Sequence, residues 1–162
     1  MSPGWVAALV VLAALVAIVG AFIALLFIGL RARVPWANHL IRRINRDGLN
    51  RIQLRRAGRA GAACALLHHR GRVTGTARVT PIGAVPVDGG FEVSLVYGRD
   101  VDWVKNLQAA GSAELHHDGH RYLVDQPTFI PATESRFAAT EASTIRTFRI
   151  QEVLRVRARP AQ

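Results

Sequence analysis

The feature that most restricts this chain is the run from Trp5 to Leu30, WVAALVVLAALVAIVGAFIALLFIGL, 26 residues without a charged or strongly polar side chain. At about 1.5 Å of rise per residue it makes a helix of roughly 39 Å, longer than the ~30 Å hydrocarbon core of a bilayer. A secretory signal has a basic start, an apolar stretch of about 7 to 15 residues and a small-residue cleavage site. Here the opening MSPG has no basic side chain, and LRARVPWA offers no such cleavage site. The expectation is one retained N-terminal transmembrane helix over residues 1–30, rather than an export signal.

The flank sets the orientation. Twelve arginines and one acid, Asp47, lie between Arg31 and Arg78, whereas residues 79–162 carry nine basic and ten acidic side chains. The formal charge of +10 is thus concentrated beside the apolar run. Lys and Arg next to a membrane segment mark its cytoplasmic side, which predicts a single-pass protein of the cell membrane with its C-terminal domain in the cytoplasm. The same arginines suit anionic membrane lipid as a partner. Nucleic acid is not expected, because no recognition helix accompanies the charge. Residues 31–60 read as a basic amphipathic juxtamembrane segment, with Trp36, Leu40, Ile41 and Ile44 at helical spacing among arginines, and with Trp36 and His39 as interfacial side chains.

From about residue 61 the pattern changes to strands. The runs AACALLHH, ARVTPIGAVPV and FEVSLVYG are short and apolar, and Asp88-Gly89-Gly90 between the second and third signals a hairpin. VDWVKNLQAAG has helical spacing and stops at Gly111. SAELHH and HRYLVDQPTFI flank the turn Asp118-Gly119, PATESRFAATEAS reads as a short helix, and RTFRIQEVLRVRAR as a last strand beginning near Phe148. Antiparallel strands on tight turns with small helices between them predict a mainly β domain, a compact barrel over residues 61–162. The single cysteine, Cys64, excludes an internal disulfide and a four-thiolate metal site, and its neighbours predict a buried, inert thiol.

The stretch HHRGRVTGTARVTP, His68 to Pro81, carries the polar chemistry. Glycines permit close backbone approach, arginines are fork-shaped donors and threonine hydroxyls bind anions, so a phosphate- or carboxylate-bearing ligand fits, but by the residues alone a solvated basic hairpin is the first reading. No Walker spacing or GxGxxG is present. His68, His69, His116, His117 and His120 at strand ends raise a metal site, but adjacent strand residues face opposite ways and no metal-ligand spacing supports it, so no metal is expected. Neither a nucleophile triad nor a paired-carboxylate arrangement stands out, and no side chain is assigned as catalytic. A redox cofactor supplying the reactive atom would remove the need for one.

The order LLHHRGRVTGTARVTPIGAV, FEVSLVYG, DWVKNLQAAG, HRYLVDQPTFI, over about residues 60–158, resembles the deazaflavin-dependent nitroreductase and quinone reductase family. The resemblance implies a split β-barrel of the FMN-binding, flavin-reductase-like kind with short helices. It also implies coenzyme F420, an 8-hydroxy-5-deazaflavin, as the cofactor, with FMN as second choice. The activity implied is hydride transfer from reduced coenzyme to a quinone, nitro compound or similar lipophilic small-molecule acceptor. The alternative is a non-catalytic, membrane-tethered binding protein for a flavin, F420, haem or lipid-like ligand. By the same resemblance Arg72, Thr74 and Gly75 meet the acidic coenzyme tail with Arg78 close behind and Arg70 in support. Thr80 and Pro81 pass the deazaflavin, and Trp103 and Asn106 border its cleft. The family's Arg-Lys-Ser-Gly reads Arg72-Val73-Thr74-Gly75 here, which removes one positive charge, and the late tyrosines of quinone-reducing members are replaced by STIRTF. Some related barrels build the cleft across a two-fold interface, so the resemblance also allows a homodimer.

Overall fold

The computed structural model describes residues 3–32, 34, 40 and 53–161. The chain divides into two compact units, residues 1–43 and 44–162. In the first, α1 spans Pro3–Arg31. Its stretch Gly4–Gly29 has a mean hydropathy of 3.1 and is not buried in the protein, so by length and composition it can cross a membrane. Most of the basic amphipathic segment expected over residues 31–60, including Trp36 and His39, lies outside the described residues.

The second unit is built on seven strands: β1 Ala65–Arg70, β2 Ala77–Ile82, β3 Ala84–Val87, β4 Gly90–Ser94, β5 Ser112–His117, β6 His120–Pro131 and β7 Glu152–Pro160. They form one antiparallel sheet in the order β2-β1-β5-β6-β7-β4-β3. Helix α2, Asp102–Ala110, lies between β4 and β5. A 3-10 turn, Ala132–Glu134, and the short helices α3, Arg136–Thr140, and α4, Ala142–Phe148, lie between β6 and β7. This is the mainly β split barrel with short helices that the sequence leads one to expect.

The barrel closes through Gly83. β2 and β3 are separated by that single residue, yet they occupy opposite edges of the sheet. Only a strongly curled sheet can bring its two edges within one residue of each other. The Gly83 carbonyl accepts the Ser94 N–H at 3.2 Å, which ties the bend to the end of β4. ARVTPIGAVPV is therefore two strands that pair with different partners, where the sequence reads as one run. Each carries a proline, Pro81 or Pro86, and a proline on an edge strand deters pairing with another chain.

Alternation builds the core. Ala65, Leu67 and His69 of β1 are buried while the residues between them are not, and Ala113 and Leu115 of β5 repeat the pattern. Leu67, Val93, Val104, Leu107, Leu115, Val124 and Leu154 form the main cluster, and Phe137, Ile150 and Val153 a second one beside α3 and α4. Gly90 is required where β4 meets β7, since a Cβ there would stand 1.9 Å from the Val156 carbonyl oxygen. Asp118 and Gly119 both have positive φ, 49° and 79°, as the tight β5–β6 hairpin needs.

Three expectations change. Phe148 ends α4, and Arg149 in the left-handed region caps it, so the last strand starts at Glu152: a helical stop here outweighs alternation. The third apolar run forms β4 only as far as Ser94, because the chain turns at Leu95–Gly98. Cys64 is half-buried rather than buried, since it precedes the first inward-facing position of β1.

β4 also hides a carboxylate. Glu92 is fully buried, 0% exposed, on the face opposite Phe91 and Val93. It accepts the Arg136 N–H at 2.6 Å and two bonds from Arg155, Nη2 at 2.6 Å and Nε at 3.2 Å. A buried charge needs such partners. Replacing Arg155 by Met takes both guanidinium bonds from the carboxylate and keeps the one from the Arg136 N–H. Because Arg155 itself is half-exposed, the expected loss is about 2–3 kcal/mol, read as a lower urea midpoint of the full chain in detergent.

Candidate functional site: the basic hairpin and the amide behind it

The turn between β1 and β2 is shaped by its own backbone. The Gly71 N–H donates to the Thr76 carbonyl at 2.9 Å and the Gly75 N–H to the Gly71 carbonyl at 2.8 Å. Gly75 sits at φ 64°, where a side chain would be strained, and Thr74 Oγ1 accepts the Thr76 N–H at 3.4 Å. A Cβ on Gly71 would lie 3.3 Å from Arg78 Nε, which places the Arg78 side chain beside the root of the turn. Arg70 donates from Nη1 to the Gly75 carbonyl at 3.3 Å. Arg70, Arg72, Thr74 and Arg78 are all exposed, and Val73 at the tip is 87% exposed.

Behind the turn stands α2. Its N-cap, Val101, has no side chain to bond the first turn, and the left-handed Gly111 closes its C-terminus. Val104, Asn106 and Leu107 face inward, so the helix sets one amide against the barrel. Asn106 is 2% exposed. Its Oδ1 accepts both the Arg72 backbone N–H and Arg72 Nη1, each at 3.1 Å. Its Nδ2 lies 3.1 Å from His69 Nδ1, and His69 Nε2 lies 3.0 Å from Thr80 Oγ1. The result is a chain of side chains, Arg72–Asn106–His69–Thr80, running from the hairpin tip into β1 and β2. Arg72 also pairs with Asp102 Oδ1 at 3.0 Å; Asp102, 80% exposed, opens α2, where a carboxylate is favourable.

The expected site residues therefore divide into two groups. Arg70, Arg72, Thr74, Gly75 and Arg78 lie together on the hairpin, and Asn106 joins it from α2. Thr80 is tied to the same network through His69, Pro81 is half-buried opposite Leu66, and Trp103 packs partly buried against the main core. Asn106 is an internal strut, its polar atoms turned to protein partners. Two further residues belong here: His69, considered in the sequence only with the other histidines, and Asp102. The β1 alternation through Ala65 and Leu67 is the signal that points His69 inward.

The other histidines lie elsewhere. His68 and His116 meet on the opposite face with ring centroids 4.4 Å apart, and His116 bonds Glu114 at 2.6 Å. Burial, then the His116 charge, lowers the His68 pKa, and the His116 hydrogen bond lowers that of Glu114. His117 packs on Phe91 with centroids 5.0 Å apart. Among the described residues no group of three or more His, Cys, Asp or Glu side chains is placed to hold a metal.

The donor chemistry of the hairpin fits an anionic group: it carries three exposed guanidiniums and a threonine hydroxyl, and of these arginines Arg72 alone has a carboxylate partner among the described residues, Asp102. Among solved structures, an F420-H2 dependent reductase (FDR-A) is 15% identical, with 58% of this chain and 93% of that chain covered and a TM-score of 0.37. An F420 reductase is 12% identical, with 62% and 87% covered and a TM-score of 0.39. None of the curated proteins compared with the chain matches it. The profile of the F420H2-dependent quinone reductases matches residues 43–139, more than half of the sequence. The chain therefore belongs to the F420H2-dependent quinone reductase family, a family of F420-dependent oxidoreductases.

Proposed function

We propose that the protein binds reduced F420 at this hairpin and passes a hydride to a lipophilic acceptor, a quinone or nitro compound, at a membrane. The observation that carries the reading is the set of exposed guanidiniums, Arg70, Arg72 and Arg78, on a hairpin of a chain that belongs to this family. The bound coenzyme would supply the chemistry, two electrons and a proton as hydride, which with one further proton reduce a quinone to its hydroquinone. Arg72, oriented by Asn106, grips the phosphorylated, acidic tail; Arg70 and Arg78 add charge on either side, and Thr74 and Gly75 give a hydroxyl and close approach. Thr80, Pro81 and Trp103 border the ring, and the barrel shields it from water. FMN is the second choice of cofactor.

The apolar helix α1 fits this reading as a single-pass anchor, with the arginines that follow it on the cytoplasmic side. A tethered barrel meets a membrane-dissolved acceptor in two dimensions. Binding of ligand by an inactive tethered protein is the competing account, and oxidation of the bound coenzyme by an added acceptor separates the two.

Arg72→Ala should weaken reduced-coenzyme binding about tenfold, the low end for a charge-assisted bond because the Arg72 side chain is 37% exposed. Deazaflavin fluorescence reads this directly. Asp102→Asn removes a competing negative charge, and affinity should rise roughly two- to fivefold at low salt. Weaker binding in Asp102→Asn would show instead that the carboxylate orients Arg72. Anaerobic addition of a menaquinone analogue to the reduced complex should oxidise it; a tightly bound coenzyme that no acceptor oxidises would favour the binding protein.

Alkaline carbonate should leave the full-length protein in the membrane pellet, while a chain starting at residue 31 should be released. Full release of the intact chain would remove the anchor.

A further inference from the structure

The hairpin rests on a histidine whose two ring nitrogens have different partners. His69 is 7% exposed on the inward face of β1. The neighbouring amide has its orientation set from the far side: Asn106 Oδ1 takes two donors from Arg72, so its NH2 group is turned to His69. Nδ1 of His69 must then present a lone pair, and the ring proton sits on Nε2, directed at Thr80 Oγ1. The chain is satisfied by one tautomer of a neutral imidazole.

We propose that His69 is a positioning residue that locks the anion-accepting hairpin by holding the Asn106 carbonyl toward Arg72, and that a proton on Nδ1 releases the lock. The coenzyme part of this proposal rests on the proposed function. With Nδ1 protonated, two N–H donors face each other between His69 and Asn106. Turning the amide over relieves that contact and points its NH2 at the Arg72 N–H and guanidinium, which are also donors. No orientation of Asn106 then satisfies both neighbours, and an unmade buried hydrogen bond is costly.

The surroundings keep the imidazole neutral. Burial lowers its pKa most, followed by Arg78, opposite it on β2, and last by His68, while the Arg70 backbone and the Asp102 carboxylate on α2 act the other way. Arg72 reaches it through Asn106. Because the folded pKa lies below the ordinary 6.5, the stability this group contributes is present above that value and is lost as pH falls through the folded pKa.

The test uses the full chain in detergent micelles without coenzyme. Long-range nitrogen–proton spectra should show His69 as the Nε2–H tautomer near neutral pH. Hydrogen exchange of the Arg72 amide, corrected for its intrinsic pH dependence, should keep its protection above the ordinary imidazole pKa and lose about tenfold as pH is lowered through the His69 titration followed in the same spectra. The Gly111 amide, bonded to the Leu107 carbonyl, should keep its protection and report an intact fold. His69→Phe should expose the Arg72 amide at every pH. His69→Gln can accept from Asn106 and donate to Thr80, so it should restore protection without the pH response. An Nδ1–H tautomer, or equal Arg72 protection in His69→Phe and the native chain, would overturn the lock. Reduced-coenzyme affinity measured on the same samples should follow Arg72 protection. A native protein with a protected Arg72 amide that binds no reduced coenzyme at any pH would overturn the proposed function, and with it the coenzyme role of His69.

Discussion

One buried carbonyl connects the helix to the hairpin. Asn106 Oδ1 is held inside the barrel by α2 and accepts two hydrogen bonds from a residue in the turn between β1 and β2. A side-chain amide in this position cannot be replaced by an apolar group without leaving the Arg72 N–H and the His69 ring to find other partners. This explains why an otherwise apolar helix face, Val104 and Leu107, carries one polar residue between its buried positions. The turn acquires a fixed shape through that bond, whereas its internal bonds constrain only its own loop. Helix α2 is thereby both a wall of the core and the support of the hairpin.

The legibility of the chain in its sequence follows the range of the interactions involved. β1, β5 and α2 were readable because their alternation, helical spacing and the stops at Asp118-Gly119 and Gly111 are local. The bend at Gly83 was not: nothing within ARVTPIGAVPV says that its halves pair with β1 and β4. Phe148 belongs to α4 because Arg149 can take the left-handed conformation after it, a choice that alternation does not encode. The hairpin residues were readable by composition, but the placement of Asn106 between Arg72 and His69 joins positions 34 and 37 residues apart and needed the fold. Asp102 is not legible for the same reason, since its relation to Arg72 exists only between the β1–β2 turn and α2.

Charge is distributed unevenly over the barrel. On β7, Arg155 is taken by Glu92, and Arg157 and Arg159 face Asp125, whose pKa is lowered chiefly by its hydrogen bond with Arg157. Arg99 pairs with Glu152 and lies 4.8 Å over the Phe129 ring. On the hairpin, by contrast, Arg72 has one carboxylate neighbour, and among the described residues Arg70 and Arg78 have none. An exposed pair such as Arg99–Glu152 contributes little to stability, unlike Arg155 with the buried Glu92. The effect of such pairs on the field is larger, because they cancel most of the positive charge at that side and leave the hairpin as a cationic feature.

Val73 stands where the sequence resemblance leads one to expect a lysine, and its surroundings show what that difference changes. Its side chain points into solvent, while the bonds that fix the turn run through the backbone and guanidinium of Arg72, through Gly71 and through Thr74. Replacing a lysine at such a position alters the field around the hairpin and leaves its frame intact. A freely solvated ammonium contributes mainly long-range attraction, which salt screens over about 8–10 Å, whereas the arginines offer directed donors. The frame that orients Arg72 is therefore independent of residue 73, and the charge lost there is a matter of field strength, to which Arg70 and Arg78 still contribute on the same turn.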